Sequence, residues 1–234
     1  PPPPRHRSGR GAPPSGREGA GVRAERLGQN ARMDDHGVLA IPAIDYRRTR
    51  WRNGRGWTRE ILALPDSDAW EFRLSIAELD VVADFSPFPG VEREQVLLHG
   101  NGLRLHFDDG AQVDLMPPHQ RIRFDGARPV TGLPLDGPVQ VFNLMWRPDA
   151  VTATLLHRPL VGGMWCFADA RTSWAVHVLA GAARIGADGR EQAALAQGDS
   201  AWLASPGARR RYAVDGRGDL LLIQVEQPQP TASG

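Results

Sequence analysis

The chain has a single cysteine, Cys166, and no lysine. One cysteine excludes an internal disulfide, which fits a reducing compartment such as the cytoplasm. Without lysine, all 28 basic residues are arginine. Together with abundant Ala, Gly and Pro, that reflects a GC-rich coding genome more than a function. No run of about 18 apolar residues occurs, so no membrane span is expected. No charged, apolar, small-residue leader is found either. The Gly-x-Ser-x-Gly elbow, the phosphate-binding loop and Cys-x-x-Cys are all missing. None of the seven histidines forms His-x-His. His99 and His106 stand an odd number of residues apart, which on one strand would turn them to opposite faces. No metal and no cofactor is therefore expected. Cys166, in "GGMWCF", reads as core packing rather than as a nucleophile.

The net charge of +1 is unevenly spread. Residues 1–32 carry seven Arg and two Glu, while the remainder carries 21 Arg and 25 acids, a balance of −4. A nucleic-acid footprint needs a basic face, and only the tail is net positive, so neither nucleic acid nor membrane is an expected partner. The tail is rich in Pro, Gly and Arg and has no apolar period, so it is expected to be disordered. Met33 opens "MDDHGVLAIPAIDYRRTRW", which reads as a natural start, with 1–32 as non-native upstream sequence.

Beyond Tyr46 the pattern becomes short apolar runs cut by Gly, Pro and Asp. "WEFRLSIAEL" (70–79) puts Trp70, Phe72, Leu74 and Ile76 on one face and Glu71, Arg73, Ser75 and Ala77 on the other. "GLRLHF" (102–107) alternates Leu103, Leu105 and Phe107 with Arg104 and His106. "VQVFNLMW" (139–146) groups Val139, Val141, Asn143 and Met145. This is the period of half-buried strands. The turns "FDDG", "RFDG", "LDG", "GADG" and "VDG" recur at hairpin spacing. The chain reads as all-β, sandwich or barrel, with few short helices. Residues 96–126 and 176–216 also lie side by side as a weak repeat. In the second copy "AQGDSAWLASPGA" has the Gly-Asp turn, apolar strand and Pro-Gly common in cupin hairpins. Two such barrels in one chain would be a bicupin, divided at 33–147 and 148–226, with 227–234 as a flexible C-terminus.

Polar residues stand at odd places in this pattern. Asn53, Thr58, Arg59 and Glu60 follow the glycine-broken bend "WRNGRGWTRE" (51–60). Arg73, Ser75 and Glu78 lie on or beside the polar face of a strand. Arg93 follows "FSPFPGVE", and Asn143 interrupts an apolar strand. Two readings stand. The arginines pair with Glu60, Glu71, Glu78 or Glu92 on the surface. Alternatively, they line a polar cavity whose guanidinium forks would suit a dicarboxylate.

In these residues the sequence resembles the HutD/Ves family. The motifs are Trp51-Arg52-Asn53-Gly54-Arg55-Gly56-Trp57-Thr58-Arg59-Glu60; Arg73-Leu74-Ser75-Ile76-Ala77; Phe85-Ser86-Pro87-Phe88-Pro89-Gly90-Val91-Glu92-Arg93; Leu97-Leu98-His99-Gly100-Asn101-Gly102-Leu103; and Asn143-Leu144-Met145. The resemblance covers roughly 44–226 and implies a bicupin without a metal requirement. It also implies an accessory role in histidine utilisation, with formylglutamate as a bound intermediate, and a stress-response branch. Arg55 replaces the middle glycine of the family's triple-glycine run, so a need for positive φ there would strain it.

The expected function is therefore binding of formylglutamate or a similar small carboxylic acid in the first barrel, with a regulatory role. The expected ligand residues are Asn53, Thr58, Arg59, Glu60, Arg73, Ser75, Arg93, His99 and Asn143. Two alternatives stay open: a ligand-modulated interaction or stress-response module, and an enzyme using Glu60 or Glu78 as its base. Pairing through edge strands would make it a homodimer.

Overall fold

The computed structural model describes residues 36–205 and 207–228. The tail 1–32, Met33 and most of the expected C-terminal segment 227–234 lie outside them. The described residues form sixteen strands and one 3-10 turn, Ala43–Asp45, as the period-2 pattern predicts. No helix among them is long and apolar enough to cross a membrane.

The strands build three sheets. A central sheet runs β2 (Arg47–Arg50), β3 (Gly56–Leu64), β4 (Phe72–Leu79), β11 (Val139–Trp146), β6 (Glu92–His99), β9 (Arg121–Asp125). A small sheet runs β5 (Ala83–Phe85), β10 (Val130–Pro134), β7 (Leu103–Phe107), β8 (Gln112–Leu115). A long-strand sheet runs β1 (Val38–Ile41), β15 (Ser200–Leu203), β13 (Thr172–Ala187), β16 (Arg210–Glu226), β12 (Thr152–Ala168), with β14 (Arg190–Ala196) also on β13. None of the three closes on itself.

Alternation gives the central sheet two apolar faces. Phe72, Leu74, Ile76, Phe142, Leu144 and Trp146 pack against Ala175, Trp202, Leu221 and Ile223 of the long-strand sheet. Ala77, Leu79, Leu97, Val139 and Val141 pack against Leu103, Leu105, Phe107 and Val130 of the small sheet. Trp70 departs from its expected face. It precedes the first residue of β4 and packs with Val91 and Met145 instead of joining Phe72.

The long-strand sheet has a third core on its other face, where Val176, Val178, Leu203 and Leu220 join Ile185, Leu195, Tyr212 and Val214. Glycines stand midway along its three long strands. Gly162 opposes Gly216, and Gly181 opposes Gly218, beside a bulge between Val178 and Ala180. Gly181 and Gly218 have φ of +79° and +134°. A Cβ on Gly218 would sit 1.8 Å from the Ala180 carbonyl oxygen. Only a bare Cα allows the backbones to come this close, so glycine is what lets the sheet change direction here.

A hydrogen-bonded chain lies where the long-strand and central sheets meet. The Tyr46 hydroxyl donates to Gly198 O at 2.7 Å and shares a hydrogen bond with Ser200 Oγ at 2.7 Å. Ser200 Oγ also lies 2.9 Å from His177 Nδ1. The His177 ring lies against Phe142, centroids 5.2 Å apart. Burial, then the nearby Arg59 charge, pushes the His177 pKa down from 6.5 to about 4, with Asp199 opposing. The unfolded chain therefore binds the extra proton between pH 6.5 and 4. Stability from this group is complete above pH 6.5 and is lost as pH falls toward 4, by up to ~1.4 kcal/mol per pH unit. His177→Gln is expected to flatten the fall in urea midpoint between pH 7 and 5. Parallel slopes in the two proteins would show that His177 does not couple the fold to pH.

Candidate functional site

The inner face of the central sheet, toward the small sheet, is polar in two adjacent rows. Cross-strand pairing sets Ala63, Arg73, Met145, Arg93 and Phe124 in one row. The next holds Glu60, Ser75, Asn143, Gln95 and Ile122. Five of the expected ligand residues, Glu60, Arg73, Ser75, Arg93 and Asn143, thus meet in one patch contributed by four strands. Period 2 puts Arg73 with Ser75 and Arg93 with Gln95 on one face, and the strand register sets Asn143 and Glu60 beside them.

Arg93 is the centre of the patch and only 5 % exposed. Its Nε and Nη2 donate to Asn143 Oδ1 at 3.0 and 2.6 Å. Gln95 Nε2 donates to the same oxygen at 3.0 Å. Asn143 Nδ2 donates to Val141 O at 3.1 Å, which fixes the amide's orientation. The guanidinium lies over Phe85 of the small sheet, 4.7 Å from the ring centroid, and 5.8 Å from that of Phe124. No carboxylate among the described residues pairs with it. Burial, and then the Arg73 charge, lowers its pKa to about 9, so it is still a cation at neutral pH.

Arg73 donates from Nε to Glu60 Oε2 at 2.7 Å, and Glu60 also pairs with Arg47 at the surface. The inner face therefore holds Arg73 and Arg93, with Arg47 at its exposed edge, against one carboxylate. Beside them Gln95 Oε1 is buried without a hydrogen-bond donor among the described residues. A buried amide oxygen ordinarily has a partner. The patch thus offers an uncompensated cation and an unfilled acceptor side by side. In chemistry this pair is complementary to an anion that also carries an N–H or O–H donor.

The other expected residues stand apart from this cluster. Thr58 faces the same side but accepts from Trp51 Nε1 at 2.9 Å. Asn53 is exposed in the β2–β3 turn, where its Oδ1 accepts from the Arg55 backbone N–H at 3.0 Å. Arg59 lies on the opposite face, 5.2 Å over the Tyr46 ring, and donates to Ala43 O at 3.1 Å. His99 is exposed at the end of β6. Glu78, a proposed base, pairs with Arg48 and lies 3.9 Å from Arg59. Arg55 is not strained: positive φ falls on Gly54, at +71°. Its side chain turns outward, toward Val82 O at 3.5 Å. Gln95, Phe85 and Phe124 were not anticipated. Gln95 stands two residues after Arg93, so the same alternation would have found it.

The geometry sits in a recognisable sequence frame: the HutD family model matches residues 43–222. The chain belongs to the HutD family. Among curated relatives it is 37 % identical over 119 residues to an uncharacterised 21.2 kDa protein from the hutC 3' region of Pseudomonas putida, covering 49 % of this chain and 61 % of that protein. It is 39 % identical over 104 residues to Protein Ves of Cronobacter sakazakii, covering 44 % and 57 %. These matches thus span under two thirds of either relative. The solved structure of HutD from Pseudomonas fluorescens SBW25, in a formate condition, superposes with a TM-score of 0.68 and 28 % identity, covering 82 % of this chain and 99 % of that one. For the fold alone, a cupin 2 conserved barrel domain protein from Leptotrichia buccalis aligns with a TM-score of 0.51 at 11 % identity, covering 73 % of this chain and 88 % of that one. The HutD family fold is thus all-β and cupin-like here. No group of three or more His, Cys, Asp or Glu able to hold a metal occurs among the described residues.

Proposed function

We propose that this HutD-family chain binds a small carboxylic acid, with N-formylglutamate as the leading ligand, on the inner face of the central sheet. The observation that carries this reading is Arg93, a buried cation with no carboxylate of its own. A ligand carboxylate would supply the missing charge through a short charge-assisted pair. Formylglutamate would also bring an amide N–H for Gln95 Oε1, and a second carboxylate within reach of Arg73. In this reading the central and small sheets form one cupin-like half and the long-strand sheet the other. Binding needs no metal, and its role is accessory and regulatory in histidine utilisation. The hut-region relative in P. putida supports that setting. The cytoplasm and a homodimer are part of the same proposal. Glu60 already holds two guanidiniums, which favours binding over catalysis.

Calorimetric titration of the whole chain with N-formyl-L-glutamate, glutamate and urocanate tests it. Saturable binding of formylglutamate is expected, lost in Arg93→Ala and kept in Arg59→Ala, because Arg59 lies on the other face. Absence of heat with all three compounds in folded protein would overturn the reading.

A further inference from the structure

A concavity lies apart from this patch, on the outer surface of the long-strand sheet. It is an open trough of about 1190 Å³ between the β13–β14 turn and the segment leading into β16. Its floor is made of small residues: Gly186 of β13 opposes Ala213 of β16, which opposes Trp165 of β12. The bare Cα of Gly186 and the short side chain of Ala213 make the hollow, and Trp165 is 55 % exposed beside them.

The trough's charge runs against that of the rest of the chain. Five arginines and three acids line it, whereas residues 33–234 as a whole have 21 Arg and 25 acids. Two of the acids are engaged: Glu191 lies 3.9 Å from Arg184 and Asp188 lies 3.4 Å from His36. Of the cations, Arg190 and Arg211 have no carboxylate partner among the described residues, while Arg209 forms no ion pair but acts on Asp169 through its charge. Two of these are held on aromatic faces. Arg211 lies 4.1 Å over the Trp165 ring and Arg209 lies 4.6 Å over the Phe167 ring. A ring beneath a guanidinium fixes its plane but leaves its N–H fork free for an anion. Ring-stacked arginines without an ion pair also occur singly elsewhere, Arg50 on Trp57 and Arg147 on Trp70, but the trough gathers two of them. Arg128, also stacked on a ring at 4.2 Å from Phe107, is neutralised by Asp109 at 2.7 Å.

We infer that this trough is a second ligand site, for a compact polyanion of the phosphate-chain class, free or as the tail of a nucleotide. Arg190, Arg209 and Arg211, none of them in an ion pair and two of them ring-supported, outnumber the one remaining acid of the trough, Asp215, and match an anion with several charges better than a monocarboxylate. The volume exceeds what inorganic phosphate needs and suits a nucleotide-sized molecule. A long nucleic acid is not matched, because outside the trough residues 33–234 carry 16 Arg against 22 acids and offer no continuing net basic charge. The site is independent of Arg93 and of the formylglutamate reading.

The test is titration of the full chain with tripolyphosphate, ATP and adenosine, followed by calorimetry and by the fluorescence of the exposed Trp165. Saturable one-to-one binding of tripolyphosphate or ATP is expected, with affinity falling at least about tenfold in Arg211→Gln and in Arg209→Gln. Arg128→Gln is expected to leave it unchanged. Equal affinity for tripolyphosphate and ATP would assign recognition to the phosphates alone, whereas tighter ATP binding would add a base against the aromatic wall. Adenosine binding as tightly as ATP, no saturable binding of either polyanion, or equal loss in Arg128→Gln would each overturn the site.

Discussion

Gly218→Ala is expected to abolish accumulation of folded protein, or to lower the melting temperature by on the order of 10 °C. The new Cβ would fall 1.8 Å from Ala180 O and 2.7 Å from Ala180 C. Both are backbone atoms of a neighbouring strand, so no flexible side-chain end can move aside. The φ of +134° adds conformational strain for any L side chain. β16 pairs with β12 along one edge and β13 along the other, so shifting it breaks two ladders at once. Steric insertion and backbone strain together place the cost at about 4 kcal/mol or more. In a chain of this size each kcal/mol shifts the midpoint by roughly 2–4 °C. Gly189→Ala is the matched comparison. Its φ is also positive, +75°, but nothing lies within 4 Å of the added Cβ, so a cost of only ~1 kcal/mol is expected. Thermal melts of the two variants separate crowding from backbone strain. Similar melting temperatures would mean that the close strand approach at Gly218 does not hold the sheet together.

That crossing of strands was not readable in the sequence, and the reason is physical. Strand identity comes from local alternation, and Leu103-Arg104-Leu105-His106-Phe107 shows it without any partner. The opposition of Gly181 and Gly218 is a pairing between residues far apart in the chain, so neither glycine announces the other. The number of sheets was hidden for the same reason. The repeat between 96–126 and 176–216 suggests two equal barrels. The first copy instead divides between the central and small sheets, while the second lies wholly in the long-strand sheet. Trp70 shows a finer limit: alternation predicts its face only if the strand already includes it, and β4 begins at Phe72.

The site was legible in part. Arg73 and Ser75 stood out on the polar face of a strand, Asn143 as an interruption of an apolar strand and Arg93 as the residue after "FSPFPGVE"; β11 pairs with the strands of all the others. Arg59 and Glu60 are neighbours in one motif, but a strand turns neighbours to opposite faces, so Glu60 meets Arg73 whereas Arg59 meets Tyr46. Both fates of the arginines occur in the structure. Arg73 pairs with an acid, as the surface reading expected, while Arg93 is enclosed without one. Sequence reading could not separate them, because the two arginines have the same chemistry. Only the register, which places Glu60 against Ser75 and within reach of Arg73, decides which guanidinium is neutralised.

Arg93→Met is expected to make the ligand-free protein more stable and to leave it unable to bind the acid. A buried charge without a counter-ion destabilises a fold, and replacing such groups by apolar side chains commonly gains ~1–4 kcal/mol. The new thioether would lie among Phe85 and Phe124, which now face the guanidinium. Asn143 Oδ1 would not be orphaned, since Gln95 Nε2 still donates to it at 3.0 Å. Under the proposed function the ligand carboxylate would reverse this balance in wild type by supplying the counter-ion, and at a hundredfold excess over Kd it would add about 2.7 kcal/mol of stability. The two proteins should therefore differ in opposite senses in the two conditions. Without ligand the variant melts higher, and with saturating N-formyl-L-glutamate only wild type gains. If Arg93→Met instead melts well below wild type and still shifts with ligand, the guanidinium is a structural post between the two sheets, and the carboxylate binds elsewhere. A variant that loses stability and ligand response together is resolved by Arg93→Lys. A lysine charge that restores the ligand shift without restoring the melting temperature would assign the charge to binding and the guanidinium's packing to the fold.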